Sequence, residues 1–215
     1  MNFFGHAWLA ARRSGDPDFV LGAMLPDLAP MAGLRIVALA DPAIAAGHAF
    51  HLRTDAVFHR SASFGALLAG AGRSLEAAGV RRGPARGAAH VGVELLLDGW
   101  IAAEHGEPAS FPAALAAGRS LGTRVSFAGG DSARALATVC CRIPEAGLPH
   151  AYADPAFTAE RIRRVLARRP RLALSRAEAQ QVASWAHRAL HQVAEAGPDL
   201  LREAAPEAAR ERLRA

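Results

Sequence analysis

Apolar positions along the chain recur mainly at three- and four-residue intervals, and clean alternation of apolar and polar residues is almost absent. Residues so spaced fall on one face of an α-helix, and the abundance of alanine and leucine over β-branched clusters points the same way. The pattern predicts an all-α fold with helices from about Phe3 to Arg13, Pro42 to Phe58, Ser61 to Leu68 and Arg86 to Glu104. Further helices are predicted from Ser132 to Cys141, Thr158 to Arg168, Arg176 to Ala194 and Pro198 to Leu213. Glycine- and proline-containing stretches such as "GDPD" at 15–18, "GVRRGPARG" at 79–87 and "IPEAGLPHAYADP" at 143–155 punctuate them.

A length of 215 residues suits one domain, no linker-like run suggests a second, and no internal repeat is visible. No apolar run approaches the roughly 20 residues of a membrane-spanning helix. The start, "MNFFGHAWLAARR", lacks the basic region and cleavage pattern of a secretory signal, so a cytoplasmic location is expected. Cys140 and Cys141 are adjacent, poorly placed for a disulfide with each other, and read as buried small hydrophobes.

The net charge is +5, and all 25 basic residues are arginine. An arginine-rich surface favours an acidic partner, because the planar guanidinium grips carboxylates and phosphates. With three tryptophans, one tyrosine and no alternation of basic and aromatic residues, nucleic acid is not the expected partner.

Candidate chemistry concentrates in two of the predicted helices. In "GHAFHLRTDAVFH", Gly47 to His59, the residues His51, Asp55 and His59 lie four apart on one face with His48 beside them. In "HVGVELLLDGWIA", His90, Glu94 and Asp98 repeat that spacing within apolar surroundings. A carboxylate in such surroundings is costly unless paired or bound to a cation. Asp27 in "LGAMLPDLAP", where a short turn would aim it inward, and His6 are further candidates. Imidazole and carboxylate without thiolate suit Mn²⁺, Fe, Mg²⁺ or Zn²⁺, and the carboxylate share leans toward the harder ions. Such an ion activates water for attack on a phosphoester. The alternatives are structural: a surface hydrogen-bonded pair at His51 and Asp55, flanking carboxylates at Glu94 and Asp98, and a core histidine at His6. The coincidence of two polar stripes with two further candidates favours a shared metal site. His187 and His191 read as surface residues.

The opening Met1-Asn2-Phe3 with His6, Leu9 and Ala10 resembles the start of the acyl carrier protein phosphodiesterase family. Later landmarks keep the family's order. Gly22 to Asp27 is similar to its Gly-Asn-x-x-x-Asp element, with Ala23 in place of asparagine. Gly47, His51 and Asp55 match its Gly-x-x-x-His-Arg-x-x-Asp spacing, with Leu52 in place of arginine. Glu94 to Trp100 is similar to its Asp-x-x-x-Asp-His-Phe segment, with Glu94 for the first aspartate and Gly99 for the histidine, and "RRPRL" at 168–172 is similar to its C-terminal region.

The resemblance implies an HD-like helical bundle that uses manganese or a similar ion to cleave the phosphodiester joining 4′-phosphopantetheine to acidic holo-acyl carrier protein. It implies His6, Asp27, His51, Asp55, Glu94 and Asp98 as metal ligands, with Asp27, Asp55 and His51 at the reacting centre. His48, His59 and His90 are additions to that pattern. The Gly-x-x-x-Pro-Asp and His-x-x-x-Asp-x-x-x-His elements also resemble zinc-dependent phospholipase C-like proteins, in which the extra histidines would be ligands. A catalytically inactive helical protein that docks an acidic partner is the third reading, with Gly99 as its support.

Overall fold

The structure is a computed structural model that describes residues 1–129 and 132–205. It is all-α. Its helices are α1 (Phe3–Arg13), α2 (Pro17–Met31), α3 (Pro42–His59), α4 (Ala62–Ala77), α5 (Arg82–His105), α6 (Ser110–Gly118), α7 (Ser132–Glu145), α8 (Pro155–Ala167) and α9 (Arg176–Ala204). Two short strands, β1 (Arg35–Leu39) and β2 (Val125–Ala128), pair antiparallel with an irregularity between Ile36 and Ala38. No helix among the described residues is long and apolar enough to cross a membrane.

The chain gathers into two compact units. The first comprises Met1–Val57, His105–Leu148 and the described residues from Ala204 on; the second comprises Phe58–Glu104 and Pro149–Glu203.

In the first unit, α1 packs on α2, and α2 packs on α6 and α7. Phe3, Phe4, Trp8, Leu9, Leu21, Met24, Phe50 and Phe111 form the core, with the Phe4 and Phe111 rings edge to face at 5.1 Å. Helix α2 was not expected, because Pro26 and Pro30 stand inside it. Each proline costs about 3 kcal/mol in a helix interior. Burial of Val20, Leu21, Met24, Leu25 and Leu28, at about 1.5–3 kcal/mol for each large side chain, offsets that cost. The start is also well specified: the Asp16 side chain accepts a hydrogen bond from the Asp18 amide, and Pro17 occupies the first turn, where its missing N–H is harmless. Asp27 therefore projects from a helix and not from the expected turn.

Helices α2 and α3 cross with their backbones in contact. A Cβ at Gly22 would collide with the carbonyl of Ile44, and one at Gly47 with the carbonyl of Phe19. Glycine at both positions is what lets the two helices approach. Arg124 ties down the start of α3. Its guanidinium donates to Asp18 at 2.7 Å and to Asp41 at 3.4 Å, while Asp41 accepts from the amides of Ala43 and Ile44 and so caps the helix.

In the second unit, Phe58, Phe64, Leu96, Leu97, Tyr152, Ile162, Trp185 and Leu200 are buried. Helix α4 runs past Leu68 to Ala77 despite Gly70 and Gly72. Helix α9 begins with a reciprocal capping box in which Ser175 Oγ accepts from the Glu178 amide and Glu178 Oε2 accepts from the Ser175 amide. The same carboxylate receives two guanidinium N–H groups of Arg81, at 2.8 and 3.0 Å. Where a break was expected before Pro198, α9 continues through it as far as Ala204. The rest of the expected helix from Pro198 to Leu213 lies outside the described residues beyond position 205.

Candidate metal centre

His6 on α1, Asp27 on α2 and His51 on α3 converge in the first unit, each offering a ligand atom within 4.8 Å of the others. The glycine crossing accounts for much of this. With α2 and α3 in backbone contact, the carbonyl of Ala23 accepts a 2.8 Å hydrogen bond from His51 Nδ1. That bond fixes the His51 tautomer and leaves the Nε2 lone pair free to ligate.

His6 is oriented through Thr54. The Thr54 hydroxyl has the carbonyls of Phe50 and His51, both at 3.1 Å, as acceptors for its single proton. The same hydroxyl stands 3.4 Å from His6 Nδ1. The His6 Nε2 faces the other way, toward Asp55. That Nε2 is buried and forms no well-shaped hydrogen bond; Asp55 Oδ1 stands 3.5 Å from it, long for a hydrogen bond. The two imidazole rings lie 3.8 Å apart between centroids.

Both histidines are held neutral. Burial lowers the pKa of His6 to about 3, against the opposing pull of Asp55, and lowers that of His51 to about 4. A neutral imidazole with a bare nitrogen is the form that binds a metal ion. Asp55, one turn beyond His51, keeps 32% of its side chain exposed and borders this group.

A second group lies in the second unit. His59, the last residue of α3, joins His90 and Glu94 of α5 with ligand atoms within 4.8 Å of one another. Glu94 Oε1 is 3.5 Å from His59 Nε2 and 3.3 Å from His90 Nε2, and the two rings stack at 5.2 Å. The Phe64 ring meets both imidazoles edge-on. Burial would raise the Glu94 pKa, but nearby positive charge and a hydrogen bond from His90 bring it down to about 2. Ionised at neutral pH, this carboxylate is a ready ligand.

Asp98 lies fully buried on α5, and His48 is half-buried on α3 outside both groups. Leu52 is 55% exposed. Gly99 is closed to any side chain, since a Cβ there would run into the backbone of Tyr152 and Ala153. The backbone of Tyr152 and Ala153 therefore leaves room only for glycine at position 99. Sequence reasoning missed Thr54 and the Ala23 carbonyl. Thr54, buried one turn from both Phe50 and His51, has a signal in its spacing, whereas a backbone carbonyl has none.

Each group supplies two imidazoles and one carboxylate. That donor set serves three-ligand catalytic zinc centres and non-haem iron sites, both of which leave a position open for water. Neighbouring ligands of a tetrahedral zinc ion stand roughly 3.3 Å apart, so groups within 4.8 Å need only a small contraction to close on one. The fit is supported in the first group by the buried, unsatisfied His6 Nε2.

Comparison with known protein families, curated proteins and solved structures returns no match to this chain.

Proposed function

We propose that the protein is a metal-dependent phosphodiesterase. The observation that carries the reading is the convergence of His6, Asp27 and His51, with both imidazoles held neutral by burial and the His51 bond to the Ala23 carbonyl leaving its Nε2 bare. A divalent ion bound there would supply Lewis acidity toward a phosphoryl oxygen and a water acidified enough to attack at neutral pH. The residues of the chain have separable tasks. Asp27 and the two histidines hold and orient the centre, while the Ala23 carbonyl fixes the His51 tautomer and Thr54 supports His6. Asp55 borders the group and remains partly open to solvent, a position suited to accepting a proton from attacking water.

Holo-acyl carrier protein is one substrate class for this chemistry. The resemblance and the +5 net charge favour it, because a positive surface speeds encounter with an acidic carrier. Manganese is the ion that this reading implies. A zinc phospholipase C-like reading has its own specific support: His59 and His90, which the acyl carrier protein pattern does not include, gather with Glu94, and Gly99 cannot be replaced by histidine. Imidazole-rich sets also favour zinc or iron over the harder ions.

The test is to strip the protein of metal, reload it with Mn²⁺ or Zn²⁺, and offer holo-acyl carrier protein and a panel of phosphodiesters. Loss of 4′-phosphopantetheine from the carrier, read by mass, supports the first substrate. Cleavage of a lipid or nucleotide diester with an unchanged carrier supports the second. In either case His51→Ala and Asp27→Asn should abolish turnover. No turnover with any metal would leave the inactive binding protein as the reading.

A further inference from the structure

A separate hollow of about 390 Å³ opens in the second unit between α4 and the first turns of α5, lined by Arg73, Arg82 and Arg86 with Leu68, Ala69 and Gly72. We propose that this hollow is a binding site for the phosphate groups of a small molecule, gripped by Arg73, Arg82 and Arg86.

Three features support it. Arg73, Arg82 and Arg86 are exposed and form no ion pair within 4 Å among the described residues. By contrast, Arg81, Arg124, Arg163, Arg164 and Arg202 each have a carboxylate. The one acid lining the hollow, Glu76, sits three residues from Arg73 on the same helix without pairing with it, and cannot neutralise three guanidinium groups.

The fold also accepts local costs around this hollow. Arg82 and Arg86 are four apart on α5, the spacing at which like charges destabilise a helix. Gly72 lies inside α4, where glycine is unfavourable, and a Cβ there would meet nothing within 4 Å. Neither packing nor backbone conformation calls for glycine at that position. Gly72 lines the hollow, and its lack of a side chain leaves that part of the wall open.

The ligand chemistry follows from the lining. Planar guanidinium groups bind phosphate oxygens in pairs, and the positive end of α5 adds to their field. The volume falls within the roughly 300–1,000 Å³ typical of small-molecule sites, and Leu68 with Ala69 offers apolar surface for the organic part of the ligand. The concavity favours a compact polyanion over a broad acidic protein surface.

The experiment uses the full chain freed of metal, so that neither histidine group holds an ion, and titrates it calorimetrically with inorganic pyrophosphate at low salt. Saturable binding that weakens steeply with added salt is expected. The Arg82→Gln/Arg86→Gln double variant should bind at least about tenfold more weakly, the effect of losing charge-assisted hydrogen bonds. Gly72→Leu should also block binding by filling that part of the wall while keeping the thermal midpoint of the parent. Absence of saturable binding, or equal binding by the double variant or by folded Gly72→Leu, would overturn the proposal. So would an acidic peptide that binds these arginines more tightly than pyrophosphate, which would make the hollow a protein-docking surface.

Discussion

At the scale of single residues, the candidate centre depends on where two protons sit. His51 carries its proton on Nδ1 because the Ala23 carbonyl accepts it, while His6 stands between the Thr54 hydroxyl at Nδ1 and Asp55 at Nε2. Thr54→Val keeps the side-chain shape and removes the hydroxyl beside His6. Loss of such a supporting partner lowers metal affinity by about 10–100-fold, which a competition titration against a chelator would read. The pH dependence of folding has a definite sign. Both histidines titrate below their ordinary value of 6.5 when folded, so as pH falls from 6.5 the unfolded chain takes up protons that the folded chain refuses. Stability from this source is complete above pH 6.5 and is lost through about 4 for His51 and about 3 for His6. The slope approaches 1.4 kcal/mol per pH unit for each histidine. Urea unfolding of the metal-free protein should therefore show a midpoint falling between pH 7 and pH 4, with a shallower fall in His51→Gln. A flat profile would mean that these imidazoles are not held neutral by burial.

At the scale of elements, what was legible depended on how far local signals agreed with packing. The period of "FFGHAWLAARR" gave α1 its observed ends, Phe3 and Arg13, because an apolar stripe and a basic last turn coincide. The same reasoning missed α2, where two prolines argue for a turn and only burial on α1 and α6 overrules them. It shortened α4 at its glycines and missed α6, "SFPAALAAG", whose small residues carry little period. The strand β1, "RIVAL", is too short to announce itself and exists through its partner 86 or more residues away in the chain. His51 and Asp55 were legible because they share one helix, whereas the approach of Asp27 depends on the glycine crossing between two helices. That crossing is testable. Gly47→Ala places a methyl against the Phe19 carbonyl and should cost about 1–3 kcal/mol or more, the range for overpacking, seen as a lower urea midpoint. It should also reduce metal binding, because separating α2 from α3 moves Asp27 and the Ala23 carbonyl away from His51.

At the scale of the whole molecule, each compact unit contains its own pairing of imidazoles with carboxylate. His6, Asp27 and His51 gather in the first, while Glu94 gathers with His59 and His90 in the second. Helical spacing in the sequence identified four of these six side chains, with His6 and Asp27 standing outside the two stripes, but a period of four along a helix does not say which members of a stripe share a partner. Tertiary packing makes that assignment. Metal analysis of the zinc-loaded protein should find two ions per chain, with one lost in His51→Ala and one in Glu94→Ala. Zinc at a hundred times its dissociation constant should stabilise the fold by about 2.7 kcal/mol for each site, read as a rise in the unfolding midpoint.

The contact of α2 with α3 through Gly22 and Gly47 has a consequence for precision. Most helix pairs are spaced by side chains that hop between rotamers and repack when a neighbour changes, so their separation drifts with temperature and with mutation. Here peptide groups rest on peptide groups, and no adjustable part lies between them. The distance from Ala23 to His51 is consequently set like a machined spacing. Substitutions in the surrounding core can accumulate while the aim of the His51 imidazole stays the same.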